Sequence, residues 1–176
     1  MIKKLLNWIV GPTSEFPPER SSEEIINIVD KRERYVCGFA FYGKPAKVVL
    51  IRKIKPEWQA DKLNGVGGKI EAGESPEQAM AREFKEEAGI NSLPIDWAIF
   101  ARCIFRGADV IFLRAFGHIF SCSRTTTAEV IQHQSVFRLD TIPDDKIIPN
   151  LRWLIPLAWH FEPTREVVTI GYDGRN

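Results

Sequence analysis

The sequence predicts an α/β (α+β) domain, and three observations predict it. Two runs rich in aromatic and β-branched residues, 34–42 and 47–54, flank a Gly-Lys-Pro-Ala connection of hairpin character. A helix with strong start and stop signals follows at 75–89. Two further strand-like runs, 95–106 and 110–120, and a late helical segment, 151–161, extend the mixture of strands and helices.

Taken in order, residues 1–33 form an appendage. GPTSEFPP (11–18) has the composition of a turn or linker, and SSEE (21–24) fits a capping box opening a short helix towards Asp30. The domain proper, 34–176, begins with the two strands. A polar loop, 55–63, leads to Gly65, Gly67 and Gly68, where backbone must turn tightly or approach a ligand. In the helix, Ser75 is the N-cap, Pro76 suits the first helical position, and Gln78 completes a capping box. Gly89 is a natural stop. Gly107-Ala-Asp109 is the turn between the next two strands. A polar loop at 121–127 and a closing strand at 166–172 complete the reading, and no internal repeat is present.

The bulk composition excludes several classes. A chain of 176 residues suits one domain with a sizeable core, and 44% hydrophobic with 27% charged residues is ordinary for a globular protein. A net charge of +1 leaves no general field to draw the molecule to nucleic acid or membrane, although a local basic site stays open. The three cysteines show neither a CxxC pair nor zinc spacing, which fits buried thiols in a reducing cytosol. The opening MIKKLLNWIV resembles a signal peptide only in part. Its apolar run is short, interrupted by Asn7, and lacks a small-residue cleavage site, so a cytoplasmic protein is expected. No segment is long enough to span a bilayer.

The helix carries the chemistry. On a helical wheel Met80, Ala81, Phe84 and Ala88 share one arc, and Glu83, Glu86 and Glu87 share the next. The acidic stripe is badly placed for stability. Glu83 repels Glu86 and Glu87 at a cost of a few tenths of a kcal/mol per pair. Glu86 and Glu87 also sit in the last turn, where the helix dipole favours cations. A solvated face with Arg82 paired to Glu86 is the plain alternative. A divalent cation removes the conflict, and all-oxygen ligands suit Mg²⁺ or Mn²⁺.

GKIEAGE (68–74) followed by REFKEEAGI (82–90) resembles the Nudix box, G-x5-E-x7-R-E-U-x-E-E-x-G-U with U a bulky apolar residue, at all nine specified positions. The seven fixed letters would coincide by chance at roughly one start position per billion. The resemblance implies the Nudix fold, a mixed β-sheet sandwiched between α-helices. It implies that Glu83, Glu86 and Glu87 bind Mg²⁺ (or Mn²⁺) with the Gly67 carbonyl, that Arg82 orients the glutamates, and that Glu74 supports the loop. It also implies attack by water on a pyrophosphate phosphorus. The base is then a helix glutamate or an acid from a later loop. Glu129, within 125–134, is the candidate for that acid, and a surface loop residue is the other reading.

The wider stretch 61–79 resembles MutT and the eukaryotic oxidised-purine nucleoside triphosphatase. Asn64 is thereby a base-reading candidate, since its amide offers a donor and an acceptor. Lys69 is a phosphate contact or a solvent-facing lysine. Trp58 is either a base-stacking residue or a loop anchor. Towards the C-terminus the eukaryotic pattern of a tryptophan and two aspartates is replaced by Ile148, Asn150 and Leu151. Asn150 remains a candidate reader of a purine edge, as in MutT. The reading is a nucleoside triphosphate pyrophosphohydrolase with a nucleotide substrate, acting as a monomer or homodimer without stable nucleic-acid binding. Hydrolysis of another nucleoside diphosphate compound (ADP-ribose, a dinucleotide, capped RNA) and a non-catalytic binding module are the alternatives.

Overall fold

A computed structural model describes residues 32–44, 46–54, 57–105, 107–117, 130–143, 145–162 and 166–171. The linker and capped helix expected before residue 31 lie outside them. Among the described residues seven strands form one mixed sheet: β1 (Glu33–Tyr42), β2 (Lys47–Lys53), β3 (Leu63–Asn64), β4 (Ala98–Phe105), β5 (Ala108–Gly117), β6 (Val130–Arg138) and β7 (Val168–Gly171). Among the described residues two α-helices accompany them, α1 (Pro76–Ala88) and α2 (Leu151–His160).

β1 runs parallel to β5 along its whole length, from Glu33 opposite Ala108 to Tyr42 opposite Gly117. Its pairing with β2 is antiparallel and brief, at Phe41–Val48 and Tyr42–Lys47. Beyond that point the two strands part, and the chain from Leu63 to Ile70 fills the gap. Leu63 and Asn64 pair with Arg52 and Ile51 on β2. On the other side, Gly38 donates to the Val66 carbonyl at 2.7 Å, Val36 to Gly68 at 2.9 Å, and Ile70 to Arg34 at 2.9 Å. The glycine segment is therefore an inserted strand whose backbone is held from both sides.

The central strands are apolar on both faces because a helix covers each face. Val36 and Ala40 of β1, Val49 and Ile51 of β2, and Ile111 and Leu113 of β5 pack with Met80, Phe84 and Ala88 of α1. The alternate residues Phe39, Phe41, Val48, Leu50 and Phe112 pack with Leu151, Leu154 and Ala158 of α2. Arg114, buried on β5, donates from Nη1 to the Ala158 carbonyl at 2.8 Å and lies over the rings of Phe116 and Phe161. It thus closes the C-terminal end of α2, where the helix dipole favours a cation. Cys37 and Cys103 are buried and free, and burial pushes the Cys37 thiol up to about 12. Cys122 lies outside the described residues. Among the described residues no helix is long and apolar enough to cross a membrane.

Several expectations need correction. No strand is expected between the loop at 121–127 and the late helix, yet Val130–Arg138 forms one, β6, which pairs antiparallel with β2 from Lys47–Arg138 to Lys53–Val130. Its polar centre, Gln132 to Ser135, is compatible with a strand that, among the described residues, pairs through its backbone with β2 alone. The strand expected from residue 95 starts at Ala98, because Pro94–Asp96 forms a 3-10 turn locked by Asp96, whose Oδ2 accepts from the Leu93 amide at 2.7 Å. The turn expected at 107–109 is tighter, with Ala108 already paired to Phe105. The loop expected at 55–63 contains a 3-10 turn, Glu57–Gln59, and leads into β3.

Candidate active site

α1 begins as its sequence dictates. The Ser75 side chain accepts from the Gln78 amide at 3.2 Å, and Gln78 Oε1 accepts from the Ser75 amide at 2.8 Å. The helix ends on Gly89, whose φ of 65° belongs to the left-handed region and whose amide caps the Lys85 carbonyl. Packing of Ala79, Met80, Phe84 and Ala88 against the sheet fixes the roll of the helix. Glu83 and Glu87 are thereby turned towards the inserted glycine strand.

That strand approaches α1 too closely for side chains. A methyl group on Gly68 would meet the Glu83 carboxylate, and one on Gly67 would strike the Val36 carbonyl. The Gly67 amide donates to Glu87 Oε2 at 2.9 Å. The carbonyls of its neighbours Val66 and Gly68 accept from Gly38 and Val36 of β1.

Arg82 organises the acids. Its Nε and Nη2 grip Glu74 at 2.8 and 2.9 Å, Nη1 reaches Glu83 Oε1 at 2.8 Å and Glu86 Oε2 at 3.2 Å, and Nη2 also holds the Lys69 carbonyl at 2.9 Å. This bidentate fork suits arginine and not lysine. Arg82 holds the Glu74 carboxyl below its ordinary range, and Glu74 in turn raises Arg82. Burial pushes the Glu83 carboxyl up, Arg82 offsets part of that, and the charges of Glu87 and Glu86 push it further up. The repulsion expected from the sequence is thus present in the folded chain. Glu86 is 52% exposed, whereas Glu83 is mostly buried and Glu87 is buried beside Lys53.

Lys53 escaped the sequence reading. Its Nζ lies 2.6 Å from Glu87 Oε1, and both side chains are buried. The signal was available in the two-residue period of β2, since Val49, Ile51 and Lys53 share the face that meets α1. Among the described residues no three acidic, imidazole or thiol groups are gathered around one point. Each box glutamate is instead turned to a partner within the chain.

The substrate candidates divide. Leu63 donates to the Lys146 carbonyl at 2.7 Å and accepts from the Ile148 amide at 3.1 Å. This bridge brings the segment of Asn150 beside the segment of Asn64. Asn150 stands at the start of α2 without capping it, and its Oδ1 is buried with no hydrogen-bond partner among the described residues. Asn64, at the end of β3, is engaged within the chain, and the Cys37 thiol of β1 also donates to its Oδ1 at 3.9 Å. Its Oδ1 accepts from the Gly65 amide at 2.8 Å, and its Nδ2 donates to Gln59 at 3.3 Å. Gln59 is a neighbour the sequence reading missed. The Lys69 side chain is paired to Glu33 at 2.5 Å on the surface, while its carbonyl accepts from Arg82. The backbone of Trp58 lies in the turn Glu57–Gln59, while its side chain and all of Glu129 lie outside the described residues.

The chain is similar over a stretch of 63 residues to the 8-oxo-dGTP diphosphatase of Escherichia coli (strain K12). Identity there is 38%, covering 36% of this chain and 47% of that one. The 8-oxo-dGTP diphosphatase of Haemophilus influenzae is 35% identical over 65 residues, 37% of this chain and 48% of that one. The chain thus spans about half the length of the curated relatives it matches. Among solved structures, a MutT from work on the Aliivibrio salmonicida and Vibrio cholerae proteins superposes with a TM-score of 0.57 at 22% identity, covering 74% of this chain and 99% of that one. The NUDIX domain of Shewanella oneidensis NrtR, complexed with ADP ribose, gives 0.59 at 18% identity, covering 80% and 97%. At these identities the likeness is one of fold. The NUDIX domain family profile matches residues 31–153, from the edge of β1 through the glycine strand and α1 into α2, and the chain belongs to that family.

Proposed function

We propose that the protein is a Mg²⁺- or Mn²⁺-dependent nucleoside triphosphate pyrophosphohydrolase acting on a purine nucleotide. The observation that carries this reading is the inserted glycine strand held against Glu83 and Glu87 of α1, with Arg82 clamping the acids from behind.

The donor set suits a hard divalent cation. It is all oxygen: the carboxylates of Glu83, Glu86 and Glu87 and the Gly67 carbonyl on the facing strand. Burial, and to a lesser degree the charges of Glu87 and Glu86, disfavour an ionised Glu83, and a bound cation would offset both. When bound, the ion would neutralise diphosphate charge and lower the pKa of an attacking water. The chain's own groups do the rest. Arg82 fixes the rotamers of Glu83 and Glu86, and Glu74 holds Arg82. Glu86, the most exposed of the three, is open to solvent and accepts a proton from water there, with Glu129 as the alternative base. Asn150 is the proposed base reader, because its unpaired amide oxygen suits the donor edge of a purine. Asn64 contributes once its loop contacts to Gly65 and Gln59 give way. The 8-oxo-dGTP diphosphatases among its relatives suggest the oxidised purine as the first substrate to try.

The test is a substrate panel of normal and oxidised nucleoside triphosphates with Mg²⁺, with ADP-ribose, a dinucleotide and capped RNA alongside, and products identified by mass. Monophosphate and pyrophosphate from a purine triphosphate are expected. Faster release of AMP from ADP-ribose than from any triphosphate would replace the proposed substrate class, and no turnover of any compound would end the hydrolytic reading.

A further inference from the structure

The hydrolytic reading makes no use of Lys53. The lysine stands at the end of β2 on the face that α1 covers, its Nζ 2.6 Å from Glu87 Oε1. Lys53 and Glu87 side chains are only 7% and 5% exposed. The second Glu87 oxygen accepts from the Gly67 amide at 2.9 Å. Both oxygens of this glutamate are thus engaged by donors of the chain.

A buried carboxylate without a counter-charge is costly, which explains why a lysine sits there. Yet an ammonium at this distance also competes for the same oxygen. A Mg²⁺ or Mn²⁺ ion bound at about 2.1 Å from Glu87 Oε1, the oxygen that Lys53 holds, would lie within roughly 5 Å of the ammonium. At that separation and in a poorly solvated site, the two positive charges repel strongly.

We propose that Lys53 is a resident counter-ion of the metal site. It neutralises Glu87 while no divalent cation is bound, and metal uptake must displace it from that carboxylate. Lys53 is thereby a positioning residue. It holds Glu87 in its rotamer against the glycine strand, and it lowers metal affinity below what the carboxylates alone would offer. This rests on the reading of Glu87 as a metal ligand.

The experiment measures Mn²⁺ binding to the full chain without nucleotide, by the electron paramagnetic resonance of free Mn²⁺. Wild type is compared with K53M, K53Q and E87Q, and thermal unfolding is followed in EDTA and in Mn²⁺. K53M and K53Q are expected to bind Mn²⁺ about tenfold more tightly than wild type, and E87Q more weakly. In EDTA, K53M should unfold at a lower temperature than wild type, and Mn²⁺ should raise it by a larger interval. If K53M folds only when Mn²⁺ is present, the counter-ion role is supported, and K53Q, which keeps a hydrogen-bond donor without the charge, supplies the affinity. Equal or weaker Mn²⁺ binding by K53Q, with E87Q impaired, would overturn the competition while leaving Glu87 a ligand. Unchanged binding in E87Q would instead remove the ligand assignment on which the proposal stands.

Discussion

Replacing Gly68 with alanine tests the link between the glycine strand and the glutamates. A methyl group there would stand 2.5 Å from Glu83 Cδ and 2.8 Å from its Oε2, and would overlap Oε1. Ordinary contact between such atoms begins at about 3.5 Å, so the carboxylate must retreat by about 1 Å. Glu83 is a flexible side chain, and its retreat spares the backbone. The stability cost should sit at the lower end of the overpacking range, about 1 kcal/mol. The same movement pulls Glu83 off Arg82 Nη1, now at 2.8 Å, and off any ion it holds. A misplacement of about 1 Å in a reacting constellation costs on the order of 10²-fold. Steady-state kinetics on the best substrate, with kcat and KM separated at saturating Mg²⁺, should show kcat down by about that factor. Thermal unfolding should show only a small loss. A Gly68→Ala enzyme with kcat within threefold of wild type would refute the argument that this close approach sets the position of Glu83.

Four further outcomes follow from the same geometry. Arg82→Lys loses the fork on Glu74 and should lower kcat by roughly 10- to 100-fold, as loss of a group that orients ligands does, measured at saturating metal. Because Arg82 holds the folded Glu74 pKa below its ordinary value of 4.5, the stabilisation from this pair is complete above that value and is lost as pH falls through the lower folded one. Stability followed by urea unfolding should therefore drop less steeply below pH 4.5 in Glu74→Gln than in wild type. Leu154→Ala, at a fully buried position on the inner face of α2, should cost about 2–5 kcal/mol in urea unfolding and leave kcat per folded molecule unchanged. Asn150→Ala removes no helix cap and should leave thermal stability nearly unaltered, while kcat/KM for the purine substrate falls by roughly 5- to 100-fold.

Local signals were legible where the reason for them is local. Ser75, Pro76, Gln78 and Gly89 bound α1 because capping depends on residues only a few positions apart. The glutamate stripe was visible because helical periodicity alone puts Glu83, Glu86 and Glu87 on one side. β6 was hidden because Gln132, His133, Gln134 and Ser135 have the composition of a loop, and only pairing with β2 makes them a strand. Lys53 was passed over although its parity with Val49 and Ile51 marks a buried face. Recognising that face requires knowing which helix covers it. The gap between β1 and β2 that receives the glycine strand has no local signature at all, since it arises where two long-range pairings cease to coincide.

By itself, then, the sequence determined the α/β class, the extent and caps of α1, the acidic stripe and the need for glycine beside it. These follow from steric and electrostatic rules acting over a few residues. Tertiary structure decided which partner each acid takes: Arg82 for Glu83 and Glu86, Lys53 for Glu87. It also decided that Asn64 and Asn150, far apart in the chain, lie across one short bridge at Leu63. Such pairings depend on how strands from distant segments register in one sheet, and that register is set by burial of both faces of the sheet at once.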